Sequence, residues 1–225
     1  MRSRYLQTAF AGLACVLLAS CGSESSRSNE ALGIFKGALR PSRTAPQDPQ
    51  QVAASAQAAL ASTNAPLVLV SISERNVSSV MQQIETNGAY RTYGTGDRRS
   101  ITFKGGMMTA SRGLGEDLMS SDVDGVLALV SARKAGRVQR VHRYLDGENT
   151  ITALEATCEV TPGAMGQVSV DTGQRATQNV TETCRAVHTE FQNTYMVDRG
   201  TGHILQSRQW HSPMNGYISV QTLRP

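Results

Sequence analysis

The chain has 225 residues, 40% of them hydrophobic and only 5% aromatic, with 22 Lys and Arg against 18 Asp and Glu and a net charge of +4. That length supplies one domain with an aliphatic core plus a short extension. Setting aside Arg2 and Arg4 in the N-terminal head leaves 20 basic against 18 acidic side chains, a net +2, which is too weak a balance for a general nucleic-acid partner.

Behind Arg2 and Arg4, Tyr5 to Ala19 is mostly apolar, interrupted by Gln7, Thr8 and Gly12. At about 15 residues it falls short of the roughly 20 needed to span a bilayer. A basic head, a short apolar run and small residues at its end define a signal peptide over residues 1–20. The run closes on Leu18-Ala19-Ser20-Cys21, which resembles the lipobox of bacterial lipoproteins. The resemblance implies that the Cys21 thiol receives a diacylglycerol, and that its amino group is acylated after cleavage. The competing reading is an ordinary signal peptide with a chance cysteine, against which four adjacent positions agree. Two or more acyl chains anchor stably without a spanning helix. Gly22, rather than Asp, follows the cysteine, and the sorting rule of such lipoproteins then implies the outer membrane, periplasmic face.

Residues 21–66 read as a lipid-anchored tether with short helices. Residues 22–29 are Gly, Ser, Glu, Arg and Asn, a flexible composition. Asn29 is placed to cap a short helix to Ala38, with Leu32, Phe35 and Leu39 on one face. A stronger helix starts at Asp48 as N-cap, with Pro49 in the first turn and Gln51 completing a capping box. Its body, "VAASAQAALA", is rich in helix formers.

From Leu67 to Pro225 the chain reads as a β-rich periplasmic domain of about ten strands. "LVLVSIS" is short and β-branched. Val77, Val80, Met81 and Ile84 have helical spacing between β-like flanks, so that segment stays open. Alternation on both sides of Gly105-Gly106 marks a hairpin. Residues 113–124, "GLGEDLMSSDVD", show no strand pattern and read as a loop or helical turn, and "GVLALVSAR" reads as a strand. A further pivot falls at Asp146-Gly147. The fold class expected is mainly β: antiparallel strands in a curved half-barrel or sandwich, with short N-terminal helices.

Of four cysteines, Cys15 leaves with the signal peptide and Cys21 carries lipid. Cys158 and Cys184 remain, an even pair in an oxidising compartment, and a disulfide between them is expected. It would stabilise by roughly 3–4 kcal/mol in the chain-entropy model. No CxxC or HxxxH spacing points to a metal, and no catalytic residue or cofactor motif is found. His142, His188, His203 and His211 read as surface or strand-face residues. Asp122-Val123-Asp124-Gly125 lacks the third aspartate and terminal glutamate of a calcium loop. Arg133, Lys134, Arg137, Arg140 and Arg143 form a basic run, read either as a solvated face or as a track for an anionic polysaccharide. In "SRGLGED", Gly113 and Gly115 suit positive φ. That corner is read either as a contact site made of Arg112, Gly113, Leu114, Gly115 and Asp117, or as a structural turn. In the second reading Leu114 and Leu118 plug the barrel end and Arg112 pairs with Asp117.

Three stretches between Ser111 and Tyr217, together with the lipobox, resemble the YjbF family of group 4 capsule polysaccharide lipoproteins. They are Ser111-Arg112-Gly113-Leu114-Gly115 with Asp117-Leu118; Phe191, Asn193 and Tyr195; and Ser207, Gln209, Trp210, Pro213, Gly216 and Tyr217. Ser111 stands where the family pattern has Thr, and keeps the hydroxyl. The resemblance covers Leu67 to Pro225. It implies a non-enzymatic accessory role in making or exporting capsule or exopolysaccharide, beside an outer-membrane β-barrel export protein and a small periplasmic partner.

Two other functions compete. A polysaccharide hydrolase would need two carboxylates, for which Glu116, Asp117, Asp122 and Asp124 are the candidates. A half-barrel could instead bind lipid. Gln209, Trp210 and Tyr217 are core or contact residues, and Trp210 falls on the core side because large aromatics dominate core burial.

Overall fold

The computed structural model describes residues 47–145 and 150–225. The helix expected at Asn29–Ala38, the lipidation site Cys21 and the Asp146-Gly147 pivot lie outside the described residues. Helix α1 (Pro49–Ser62) starts where the sequence places it: the Asp48 carboxylate accepts the Gln50 N–H at 2.9 Å, and Pro49 occupies the first turn. Only Ala56 is buried on α1, so the helix is a strap on the sheet and contributes little to the core. Arg224 holds its C-terminal end by donating to the Leu60 carbonyl at 3.0 Å and to the Thr63 carbonyl, satisfying groups that the helix itself leaves free.

Twelve strands follow: β1 (Leu67–Ile72), β2 (Val77–Asn87), β3 (Tyr90–Gly94), β4 (Ser100–Lys104), β5 (Met107–Arg112), β6 (Leu118–Asp122), β7 (Gly136–Leu145), β8 (Ile151–Val170), β9 (Gly173–Arg185), β10 (Glu190–Asp198), β11 (Ile204–Ser212) and β12 (Gly216–Arg224). They form a single antiparallel sheet in the order β5-β4-β3-β2-β1-β12-β11-β10-β9-β8-β7-β6. Its two edge strands, β5 and β6, are consecutive in the chain and are joined by the glycine corner 113–117. The sheet therefore curls until its edges meet, as a nearly closed barrel. The expected curved antiparallel sheet is what forms, with twelve strands in place of about ten.

One expected strand is a helix, and three strands form beyond those expected: β2 in the segment left open, β3, and β6, the last of which lies inside the stretch read as a loop or helical turn. Leu118 and Ser121 point inward and the strand pairs with β7. The run "GVLALVSAR", expected as a strand, is instead helix α2 (Asp124–Ala132). Val126 and Val130, one helical turn apart, are buried with Val123 against Val160, Val180 and Val197. A short apolar run satisfies either period, and the available surface decides between them. Arg133 ends α2 in the left-handed region (φ +52°), and its guanidinium donates to the Ser131 and Asp198 carbonyls. The open segment 77–84 is strand, because pairing with β1 (Met81 opposite Val68) outweighs its helical spacing.

Closure at the β4–β5 hairpin depends on its two glycines. A Cβ on Gly106 (φ +88°) would lie 2.7 Å from the Ile204 Cβ, and one on Gly105 (φ +58°) would lie 2.9 Å from Leu127. Backbone here packs directly on β11 and α2. The Cys158–Cys184 disulfide forms as expected, between directly opposed residues of β8 and β9.

Candidate functional site

The family-like stretches, far apart in sequence, converge on the barrel interior in three connected groups. The first is the glycine corner. Gly113 and Gly115 have φ of +76° and +71°, as anticipated, and Leu114 and Leu118 are buried in the core. Arg112 does not pair with Asp117. Its guanidinium donates to the Ser111 and Leu118 carbonyls and so ties one sheet edge to the other. Asp117 is instead taken up by backbone: it accepts from Gly113 N at 2.7 Å and Leu114 N at 3.0 Å. The N–H groups that could have cradled an anion already hold the chain's own carboxylate.

Ser111 donates its one hydroxyl proton to Asp117 at 2.9 Å and accepts from Leu118 N at 3.0 Å. His211 Nε2 lies 3.0 Å from the same hydroxyl and must therefore donate, while its Nδ1 accepts from Asn215 at 3.3 Å. Asn215 also donates to the Gly115 carbonyl at 2.7 Å. The donor balance makes His211 a neutral donor to Ser111. A serine beside a histidine suggests a nucleophile and base, but here the imidazole has no free lone pair aimed at the hydroxyl.

The second group centres on Gln209, which is 1% exposed. Its amide accepts from Met108 N at 2.9 Å and donates to the Gly106 carbonyl at 3.0 Å and to Ser207 at 2.9 Å. One side chain thus behaves as a short piece of partner strand for the open edge of β5.

The third group surrounds Glu182. Arg140 donates to both its oxygens at 2.9 and 2.7 Å, Tyr195 donates at 2.6 Å and Asn193 at 2.8 Å. Arg140 is 1% exposed and Glu182 fully buried. Burial opposes the Arg140 charge, but the Glu182 carboxylate beside it more than offsets this and raises its pKa. Burial and the same carboxylate push the Tyr195 hydroxyl well up. Asn193 also accepts from Trp210 N at 2.7 Å. The β10–β11 ladder ends at Thr194–Arg208, and this amide bridges the gap beyond it. Trp210 is 9% exposed and stacks on Phe191 at 4.8 Å, which places it in the core. Tyr217 is half-buried under the Arg208 guanidinium, and its hydroxyl accepts from Gln192 N.

These positions correct the basic-run reading. Arg140 faces inward to Glu182, Arg133 closes α2 and Arg143 is paired with Asp122 at 3.1 Å, so the five cations do not form one face. The four loop acids are likewise dispersed onto separate partners: Glu116 accepts from Met214 N, Asp117 binds the corner, Asp122 pairs with Arg143 and Asp124 with Lys104. Cys158, Glu182 and Cys184 cluster within metal-ligand distance among the described residues, but both sulfurs are spent in the disulfide and the carboxylate on Arg140.

Two histidines read as surface or strand-face residues are buried, because they sit on the inward face of their strands. His188 and His203 are exposed. His142 makes no hydrogen bond and lies among Tyr144, Phe191 and Trp210. Burial, and secondarily the Arg140 charge, hold it neutral far below its ordinary pKa. Burial pulls His211 down to about 4, against the opposing pull of Asp117 and Glu116. Both depressed values favour the folded state above about pH 6.5, and that stability is lost as pH falls toward 4, at about 1.4 kcal/mol per pH unit per histidine. Urea midpoints are therefore expected to be flat from pH 8 to 7 and to drop steeply between 6.5 and 4.5. His142→Phe, which fits the aromatic surroundings, should reduce that slope; an unchanged slope would refute the assignment.

Among the described residues, no helix is long and apolar enough to cross a membrane. The chain matches the family described as "Group 4 capsule polysaccharide lipoprotein gfcB, YjbF" over residues 6–223. The crystal structure of the hypothetical lipoprotein YmcC from Escherichia coli K12 superposes with a TM-score of 0.63 at 15% identity, covering 72% of this chain and 87% of that one. At that identity the likeness is one of fold. No curated protein matches.

Proposed function

Because the chain belongs to the YjbF family of group 4 capsule polysaccharide lipoproteins, we propose that it is a non-enzymatic accessory factor in capsule or exopolysaccharide production or export, anchored through Cys21 to the periplasmic face of the outer membrane. The observation that supports this reading is the fate of the family-like side chains. Ser111 and Asp117 bond to each other and to the backbone of the corner that joins the sheet edges, Gln209 bonds to the backbone of β5, and Asn193 and Tyr195 bond to Glu182. A barrel whose polar interior is spent on its own architecture acts by contact. The partners that fit such a role are an outer-membrane β-barrel export protein, a small periplasmic protein and the anionic polymer itself.

The test is complementation. Deleting the gene is expected to reduce extracellular polysaccharide while leaving general lipoprotein sorting intact. The wild-type gene should restore it, and Cys21→Ala should neither restore it nor incorporate palmitate. Unchanged polysaccharide in the deletion strain, under conditions where the parent makes it, would sink the proposal.

A further inference from the structure

A cavity of about 540 Å³ opens inside the barrel at the end marked by the β4–β5 hairpin, the β10–β11 turn and the C-terminus. Its size falls in the range of small-molecule sites, about 300–1,000 Å³. Its walls come from five strands and one helix: Val68, Tyr93, Phe103, Leu127, Leu205 and Val220 supply apolar surface. The β4–β5 turn forms a firm lip, since Gly105 and Gly106 pack against Leu127 and Ile204 and the Gly106 carbonyl is held by Gln209.

The charged side chains at this cavity are basic. Arg91, Lys104 and His203 line it, and no Asp or Glu side chain does. Lys104 is bound to Asp124. Arg91 makes only a long bond to Thr86, at 3.4 Å, and among the described residues it has no carboxylate partner. An apolar interior with a guanidinium at its mouth, free to pair bidentately, matches one ligand chemistry.

We propose that this cavity binds an anionic amphiphile, one acyl chain lying between β3–β4 and β11–β12 with its carboxylate or phosphate head against Arg91. Binding there is separate from the polysaccharide role, and the result of deleting the gene has no bearing on it.

The full-length lipidated protein, in outer membranes isolated from cells expressing it, is the material to use. The probe is palmitic acid carrying a mid-chain diazirine and a terminal alkyne, added for minutes and then irradiated; the corresponding palmityl alcohol is the neutral arm. Peptide mapping separates labelling in the cavity from anything on the Cys21 peptide. Label is expected on segments 89–106, 203–207 and 220–225, with the acid exceeding the alcohol at least threefold. Arg91→Glu, a change at an exposed position, should cut acid labelling at least threefold and leave alcohol labelling unchanged. Unlabelled palmitate and unlabelled palmitoyl lysophosphatidic acid compete in separate arms, and suppression by either identifies the head group. Label confined to other surfaces, equal labelling by acid and alcohol, or no suppression by either competitor would overturn the proposal.

Discussion

Glu182→Ala is expected to lower the unfolding free energy by about 3–5 kcal/mol. The carboxylate is fully buried and accepts from Arg140, Tyr195 and Asn193. Removing it strands a guanidinium that is 1% exposed, whose remaining contact is the Tyr195 hydroxyl at 3.3 Å and whose Nε has no partner. The reciprocal change should be milder. Arg140→Met leaves the Glu182 carboxylate with two donors, and methionine fills much of the same volume. Urea denaturation of both single variants and the double variant gives the test. Glu182→Ala within 1 kcal/mol of the parent, or Arg140→Met as damaging as Glu182→Ala, would show that the pair is not organised in this way.

Trp210→Ala is expected to cost about 3–5 kcal/mol, the range for truncating a large buried aromatic, and to lower the amount of folded protein in cells. Trp210 fills the space that opens where β11 parts from β10, stacked on Phe191 at an interplanar angle of 16° with His142 edge-on at 6.2 Å. Nothing else in that group can collapse into the space, because Phe191 and His142 sit on separate strands. Trp210→Phe keeps the stack and the backbone bond to Asn193, and should cost far less. Trp210 is the only tryptophan, so its loss removes the fluorescence signal, and far-ultraviolet circular dichroism is the measurement to use. Equal midpoints for Trp210→Ala and the parent would place the indole outside the core.

Parts of the site were legible in the sequence because their signals are local. Gly113 and Gly115 announce a backbone that needs positive φ, and Leu114 and Leu118 a plug. Cys158 and Cys184 were paired by elimination and by compartment. The Arg112–Asp117 pair of the structural-turn reading does not form, for a physical reason. Asp117 had nearer donors in the backbone N–H groups of its own turn, and the guanidinium was drawn to the carbonyls of the two sheet edges. The inward turn of Arg140 and His142 is not legible because "RVQRVHR" is polar on both faces at period two. Alternation shows that Val138, Arg140 and His142 share a face but does not reveal which face is inside. The bonds of His211 and Asn215 are not legible because their partners, Ser111 and Gly115, lie about a hundred residues away.

By itself the sequence determined what short-range physics sets. It fixed the cap of α1, the antiparallel strand content, the hairpin at Gly105-Gly106 and the cysteine pair, each depending on residues adjacent in the chain or on counting. Only the tertiary structure decided that "GVLALVSAR" coils into α2, since an apolar nine-residue run takes the period of the surface it meets. Only the tertiary structure turned Arg140 and Glu182 inward and made Gln209 a substitute strand for β5. Burial of a charge or an amide is favourable only when partners from distant strands arrive to satisfy it, and closure of the barrel is what brings them.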